Sequence, residues 1–234
     1  MKKYFFLFIL SFVCLLAGLV NGCKKDVSPN SPTNIGTATS FTEEFEYFNT
    51  LETKGWVTKD NSLLGSAGPY ASWTQGLNGA DKGGGWLGFT AYSYTTNLDE
   101  FAYSSVSFSS TNSFSISSWF ITPVLSVKNG DKISFYTRAD TIGVHTERMQ
   151  VLMNKSASAD VGGSVSSVGG FSNVLLDINS SQTAGGYPTT WTKYEYTFSG
   201  ISGKTDTRIG FRHYVTNTTN AKGVGIDQFK FQVN

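Results

Sequence analysis

The chain has almost no cysteine, little histidine and no excess charge, and each shortage removes a class of explanation. Only two of its 234 residues are cysteine. Cys14 lies inside an apolar leader and Cys23 just after it, so the rest of the chain has no internal disulfide to close it. That remainder must hold together through its core, or through its core plus a metal. Only His145 and His213 are present, too few for a histidine-rich metal centre, and no HExxH spacing occurs. A nucleophile elbow of the Gly-x-Ser-x-Gly kind is missing; Gly65-Ser66-Ala67-Gly68 comes nearest and lacks the spacing. Gly83-Gly84-Gly85 is not followed by Gly-Lys-Ser/Thr and a helix, so it is no phosphate loop. The formal net charge is +1, and loss of Lys2 and Lys3 with the leader leaves 16 positive against 17 negative charges. A chain so balanced has no field to attract nucleic acid or an anionic membrane surface. Beyond the leader no stretch sustains a helical apolar period, and no short internal repeat marks a propeller or solenoid.

What is present begins with Lys2-Lys3, an apolar run from Tyr4 to Leu19, then Val20-Asn21-Gly22 and Cys23. That order is a secretory signal, and the cysteine after Gly22 resembles a bacterial lipobox. The reading is a signal peptide over 1–22, a lipidated Cys23 with a flexible spacer over 23–40, and one domain over 41–234. Acyl chains on Cys23 would tether the protein to the outer membrane rather than span it. Lys24-Lys25 precede Asp26, which leaves open whether the domain faces the periplasm or the cell surface. An ordinary secretory signal and an uncleaved anchor helix are the alternatives. The spacer is rich in Ser, Pro, Thr, Asn and Gly, a composition that stays extended and solvated.

Past residue 40 the signal is short runs of two-residue alternation between Gly, Asn, Asp and Ser. In 191–198, Thr192, Tyr194, Tyr196 and Phe198 share one parity; in 147–153, Met149, Val151 and Met153 do. Further strands are predicted at 41–48, 85–92, 114–121, 132–138, 171–178, 207–215 and 224–233, with a turn at Lys128-Asn129-Gly130-Asp131. Many half-buried strands without crossover helices predict an all-β, antiparallel two-sheet sandwich. On the last strand Asp227 shares parity with Phe229, Phe231 and Val233, and a carboxylate facing a core is costly unless paired or coordinated. Two readings stand: a calcium ion bridging the first and last strands, or a rim position accepting backbone or Arg hydrogen bonds. His213 shares the parity of Ile209, Phe211 and Val215, which reads as a core imidazole with a hydrogen-bond partner rather than a catalytic one. Acid pairs such as Asp99-Glu100, or Glu147 with Asp177, are too common in any chain to argue a glycosidase.

Nine motifs in order resemble the choice-of-anchor J domain family, related to the cleaved adhesin domains of gingipains and to MAM-type jelly rolls. They are Phe41-Thr42-Glu43-Glu44-Phe45-Glu46, Gly55-Trp56, Trp73-Thr74-Gln75-Gly76, Ser118-Trp119-Phe120-Ile121-Thr122-Pro123, Lys132-Ile133-Ser134-Phe135-Tyr136-Thr137-Arg138, Glu147-Arg148-Met149-Gln150-Val151, Trp191-Thr192-Lys193-Tyr194, Ile209-Gly210-Phe211-Arg212 and Gly225-Ile226-Asp227-Gln228-Phe229. The resemblance implies a jelly-roll sandwich on an exported protein of Bacteroidetes-type bacteria. It also implies a structural calcium near an acidic opening and an Asp pair on the last strand. Glu44 and Glu46 match the opening and Asp227 the first Asp; Gln228 stands where the second would be, one charge fewer.

For function, Tyr70, Trp73, Trp86, Phe89, Tyr92, Tyr94 and Tyr103 fall amid Gly, Ser, Thr and Asn. Aromatic faces stack on sugar C–H surfaces while amides and hydroxyls bond the ring substituents, and neither needs charge. Trp86, Tyr92 and Tyr94 are the candidate ligand contacts. The expectation is a monomeric, non-catalytic binding or adhesion module that recognises a glycan, with packing against an envelope protein as the alternative and a hydrolase behind both.

Overall fold

A computed structural model describes residues 39–63, 72–76, 78–79, 88–105, 115–141, 145–216 and 221–234. Cys23, its leader, the spacer up to residue 38, and Trp86 lie outside them. Among the described residues twelve strands form, in chain order: β1 (Phe41–Glu43), β2 (Val57–Asp60), β3 (Ser72–Gln75), β4 (Ala102–Ser105), β5 (Ile116–Ile121), β6 (Leu125–Val127), β7 (Lys132–Ala139), β8 (Met149–Asn154), β9 (Asn173–Ile178), β10 (Thr192–Thr197), β11 (Thr205–Val215) and β12 (Gly223–Gln232). They pair into two six-stranded antiparallel sheets. The first runs β10-β7-β12-β4-β3 with β1 on β12; the second runs β2-β5-β11-β8-β9 with β6 on β11. This is the expected all-β jelly-roll sandwich.

Alternation builds the inner faces. On β7, Ile133, Phe135 and Ala139 turn inward while Ser134 and Tyr136 turn out. Phe211 of β11 meets Phe135 edge-on at 4.9 Å and Phe229 at 5.9 Å, which locks the sheets face to face. Each such ring contributes roughly 1.5–3 kcal/mol by leaving water. The turn at Asn129-Gly130 forms as expected between β6 and β7, with Gly130 at φ 90 and the Lys128 N–H donating to Asp131 Oδ2 at 2.9 Å.

Three expectations are corrected. The strand over 41–48 stops at Glu43: Phe45 takes a left-handed φ of 57, and a 3-10 helix (Phe48–Lys54) follows, ended by Gly55 at φ 88. Residues 88–92, the described part of the run at 85–92, form no strand. They lie across the first sheet's outer face, where Phe89 and Ala91 join Phe101 and Tyr103 in a separate apolar cluster. Close contact there suits the smallest side chain, since a Cβ on Gly225 would come within 2.8 Å of the Phe89 ring.

The third correction concerns β12. A bulge falls between Asp227 and Lys230, with Gln228 at φ 47. Two residues there face one on β7, so the inward parity changes from Val224 and Ile226 before the bulge to Phe229 and Phe231 after it. Asp227 therefore does not share the core face of Phe229. It points out of the first sheet, beneath the segment that carries Tyr92.

Candidate functional site

Asp227 is 0% exposed although it lies on an outward face, because residues 88–101 cover it. Its Oδ2 accepts the N–H groups of Tyr92 (2.7 Å) and Ser93 (3.1 Å), and its Oδ1 accepts that of Gln228 (2.6 Å). One carboxylate thus fastens the covering segment to β12 and closes the bulge. Burial pushes its pKa up to about 7; the three N–H donors oppose this and the neighbouring Glu44 adds to it.

What Asp227 fastens is an aromatic platform. Tyr136 lies opposite Asp227 on β7, and the Tyr92 ring stacks on it at 3.6 Å and 15°. The Tyr92 hydroxyl donates to Tyr136 Oη at 3.0 Å. Tyr92 remains 43% exposed, and Tyr94, two residues on, is 51% exposed. Tyr136 also lines a groove of about 260 Å³ with Thr42, Glu44, Ser134, Lys193 and Lys230. Hydroxyls, two ammonium groups and a carboxylate thus surround one aromatic wall, a donor and acceptor set suited to a polyol. Tyr136 was legible only as a strand residue, since its partner is 44 positions away.

The corner at Glu44 bears on calcium. Glu44 Oε2 and Asp99 Oδ1 are buried oxygens without a hydrogen-bond partner, the kind of atom a hard cation takes up. Gln75 brings their segments together: its Nε2 donates to the carbonyls of Phe45 (2.9 Å) and Asp99 (2.7 Å), and its Oε1 accepts the Phe48 N–H (2.7 Å). Glu46, the third carboxylate of the expected set, is exposed. Among the described residues no three His, Cys, Asp or Glu side chains converge on one point. Two of the three expected ligands, Glu44 and Asp227, are neighbours.

A second polar cluster joins the sheets from inside. His213 Nε2 meets Glu147 Oε2 at 2.7 Å and its Nδ1 meets Ser104 Oγ at 2.9 Å. Glu147 Oε1 further accepts the N–H groups of Lys222 and Gly223. The order Ser, His, Glu is that of a hydrolase triad, but all three residues are 0% exposed. No substrate reaches the hydroxyl, and the chain of hydrogen bonds is a strut between β4 and β11. His213 is the core imidazole its parity implied.

No protein-family model matches the chain, and no curated protein does. Among solved structures the chain is similar to the K1 cleaved adhesin domain of Lys-gingipain from Porphyromonas gingivalis W83, at 19% identity and a TM-score of 0.52, over 84% of this chain and 99% of that one. It is similar also to the K3 cleaved adhesin domain of the same protein, at 17% identity and a TM-score of 0.53, over 82% and 98%. At such identity the likeness extends to the fold: the chain shares the sandwich of the gingipain cleaved adhesin domains.

Proposed function

We propose that the domain is a non-catalytic binding module that recognises carbohydrate on the outer face of its first sheet. The observation that carries this reading is the exposed Tyr92–Tyr136 stack beside the polar groove. A pyranose lying against the ring would place its C–H face on carbon and its hydroxyls among Ser134, Thr42, Lys193 and Glu44. Tyr94 would extend the aromatic surface, and Trp86 belongs to the same proposal from sequence. Asp227 is a positioning residue here, holding the backbone of Tyr92 without touching the sugar.

Calcium in this reading is structural. Glu44 and Asp227 would hold it, and its charge would offset the mutual repulsion of the two acids and tie the first strand to the last. The domain would be tethered to the outer membrane through acylated Cys23. Replacing Cys23 by Ser should then move the protein from the detergent phase to the aqueous phase on Triton X-114 partition.

The deciding experiment is a polysaccharide and glycan binding screen on the full chain, with calcium and again with chelator. Binding that disappears in Tyr92→Ala and Tyr136→Ala, with the melting transition kept, supports the reading. Failure to bind any glycan by a folded protein would overturn it and leave an envelope protein as the partner. Binding that persists in chelator at reduced melting temperature is the signature of a structural ion.

A further inference from the structure

We propose that the groove beside the Tyr92–Tyr136 stack takes an acidic polysaccharide, with Lys193 and Lys230 holding the carboxylate of a uronic acid residue. The inference rests on the carbohydrate reading of that groove and names its ligand class. Its basis is the register of the first sheet. Strand β7 carries Tyr136 and Ser134 on the outer face; β10 sets Lys193 directly opposite Tyr136, and β12 sets Lys230 directly opposite Ser134. Neighbouring strands lie about 4.8 Å apart, so the two lysines flank one aromatic wall and one hydroxyl from either side. All four residues line the same groove of about 260 Å³.

The charges around this groove are unevenly committed. Lys230 is exposed, and among the described residues its ammonium has no hydrogen bond or ion pair. Lys193 reaches Glu195 on its own strand at 3.2 Å, but both side chains are about half exposed, and a pair of that kind is readily exchanged for another. The acids are less available. Asp227 is closed off beneath the Tyr92 segment. Glu44, which also lines the groove, is half-buried beside Asp227, with its Oε2 out of contact with solvent. A ligand entering from solvent meets the cations first.

A neutral sugar would leave the Lys230 ammonium unused, and an amino sugar would be repelled by it. A uronate employs it. The equatorial carboxylate on C5 projects from the edge of a pyranose, close to the mean plane of the ring. With the C–H face of the sugar on Tyr136, that plane carries the carboxylate sideways toward the flanking strands. There the ammonium groups donate charge-assisted hydrogen bonds, and Thr42 and Ser134 remain for the hydroxyls. Charge complementarity of this sort discriminates between ligands of similar shape.

The test compares ligands that differ only in that charge. Tetragalacturonate and tetraglucuronate, each beside its fully methyl-esterified form, are titrated calorimetrically into the full chain at low and at high salt. At least one acid is expected to bind about tenfold more tightly than its ester at low salt and to lose that advantage at high salt. Lys230→Gln should weaken the acid about fivefold and leave the ester unchanged, and Lys193→Gln should act in the same direction. Both lysines are exposed, so the melting transition should be kept in each variant. An ester that binds as well as its acid, both being lost in Tyr92→Ala, overturns the proposal and leaves the carbohydrate reading standing. Acid binding that is unaffected by both lysine variants overturns it as well. So does acid binding matched by dextran sulfate and kept in Tyr92→Ala, which is the attraction of any polyanion to surface charge. If no acid and no ester binds, the uronate is ruled out, and the wider glycan screen decides the carbohydrate reading by itself.

Discussion

Glu147 and Asp227 are both 0% exposed, and burial by itself raises the pKa of each, yet they end on opposite sides of the ordinary carboxylate range. Glu147 has His213 against one oxygen and two N–H donors on the other, and these hold it below its usual value. Asp227 has three N–H donors and, among the described residues, no salt-bridge partner, with Glu44 nearby, and rises to about 7. The contrast teaches what an N–H cradle can do. Donated hydrogen bonds solvate a buried carboxylate, but here they do not replace a counter-charge. The acid inside the sandwich is a finished structural strut, whereas the acid under the Tyr92 segment is short of one positive charge.

The sharpest way to break the contrast is to remove the charge from the finished side. Glu147→Gln should cost about 3–5 kcal/mol by denaturant unfolding, as expected when one partner of a buried pair is lost. A cost within about 1 kcal/mol would show the strut to be dispensable. Because Glu147 is held low, its contribution is present above the unfolded pKa of about 4.3 and is lost as pH falls through the folded value.

Asp227 has the opposite sign. Its folded pKa lies above the unfolded value of about 3.9, so the native state binds the extra proton and stability should fall as pH rises from about 4 to about 7, by on the order of a few kcal/mol. Asp227→Asn should flatten that slope, and added calcium should flatten it too by stabilising the ionised form. If melting temperature in chelator is flat across this window, the missing charge is supplied in some other way. A smaller effect is expected from Glu44→Gln, which removes the neighbouring acid: the descending part of the stability curve should still begin near pH 4 but end at lower pH.

The difference between the two acids was only half legible in the sequence. The alternation of β7 and β10 placed the sheets, and the parity of β11 placed His213 in the core. The same rule misassigned Asp227, because it assumes an unbroken pleat and nothing at Gln228 announces a bulge: no Gly or Pro stands there, and the left-handed φ belongs to a residue that seldom takes it. Strands β5 and β8 are buried on both faces, which period-two patterning cannot reveal. Their outer side is covered by a later segment, where Val161 and Phe171 pack on Trp119 and Leu152. Glu147 opens one of the nine motifs, but its partners lie 66 and more positions away. The Tyr92–Tyr136 and Trp56–Phe120 stacks are likewise products of topology, which composition signals only as an abundance of rings.

The bonds of Gln75 acquire a mechanical meaning once the domain is imagined under load. A pull on the chain ahead of Ser40 enters through β1, a three-residue strand paired with Phe229, Lys230 and Phe231, and such a short ladder peels readily. Beyond it Lys54 holds Glu43 at 3.0 Å, the Phe45 ring is buried in the core, and Gln75 grips the backbone at Phe45 and Phe48 from β3. Tension would be caught there, ahead of both Trp56 and the segment that carries Tyr92. Gln75→Ala should then lower the rupture force in single-molecule pulling while leaving unloaded binding nearly unchanged, which would make this side-chain amide one of the strain reliefs at the start of the domain.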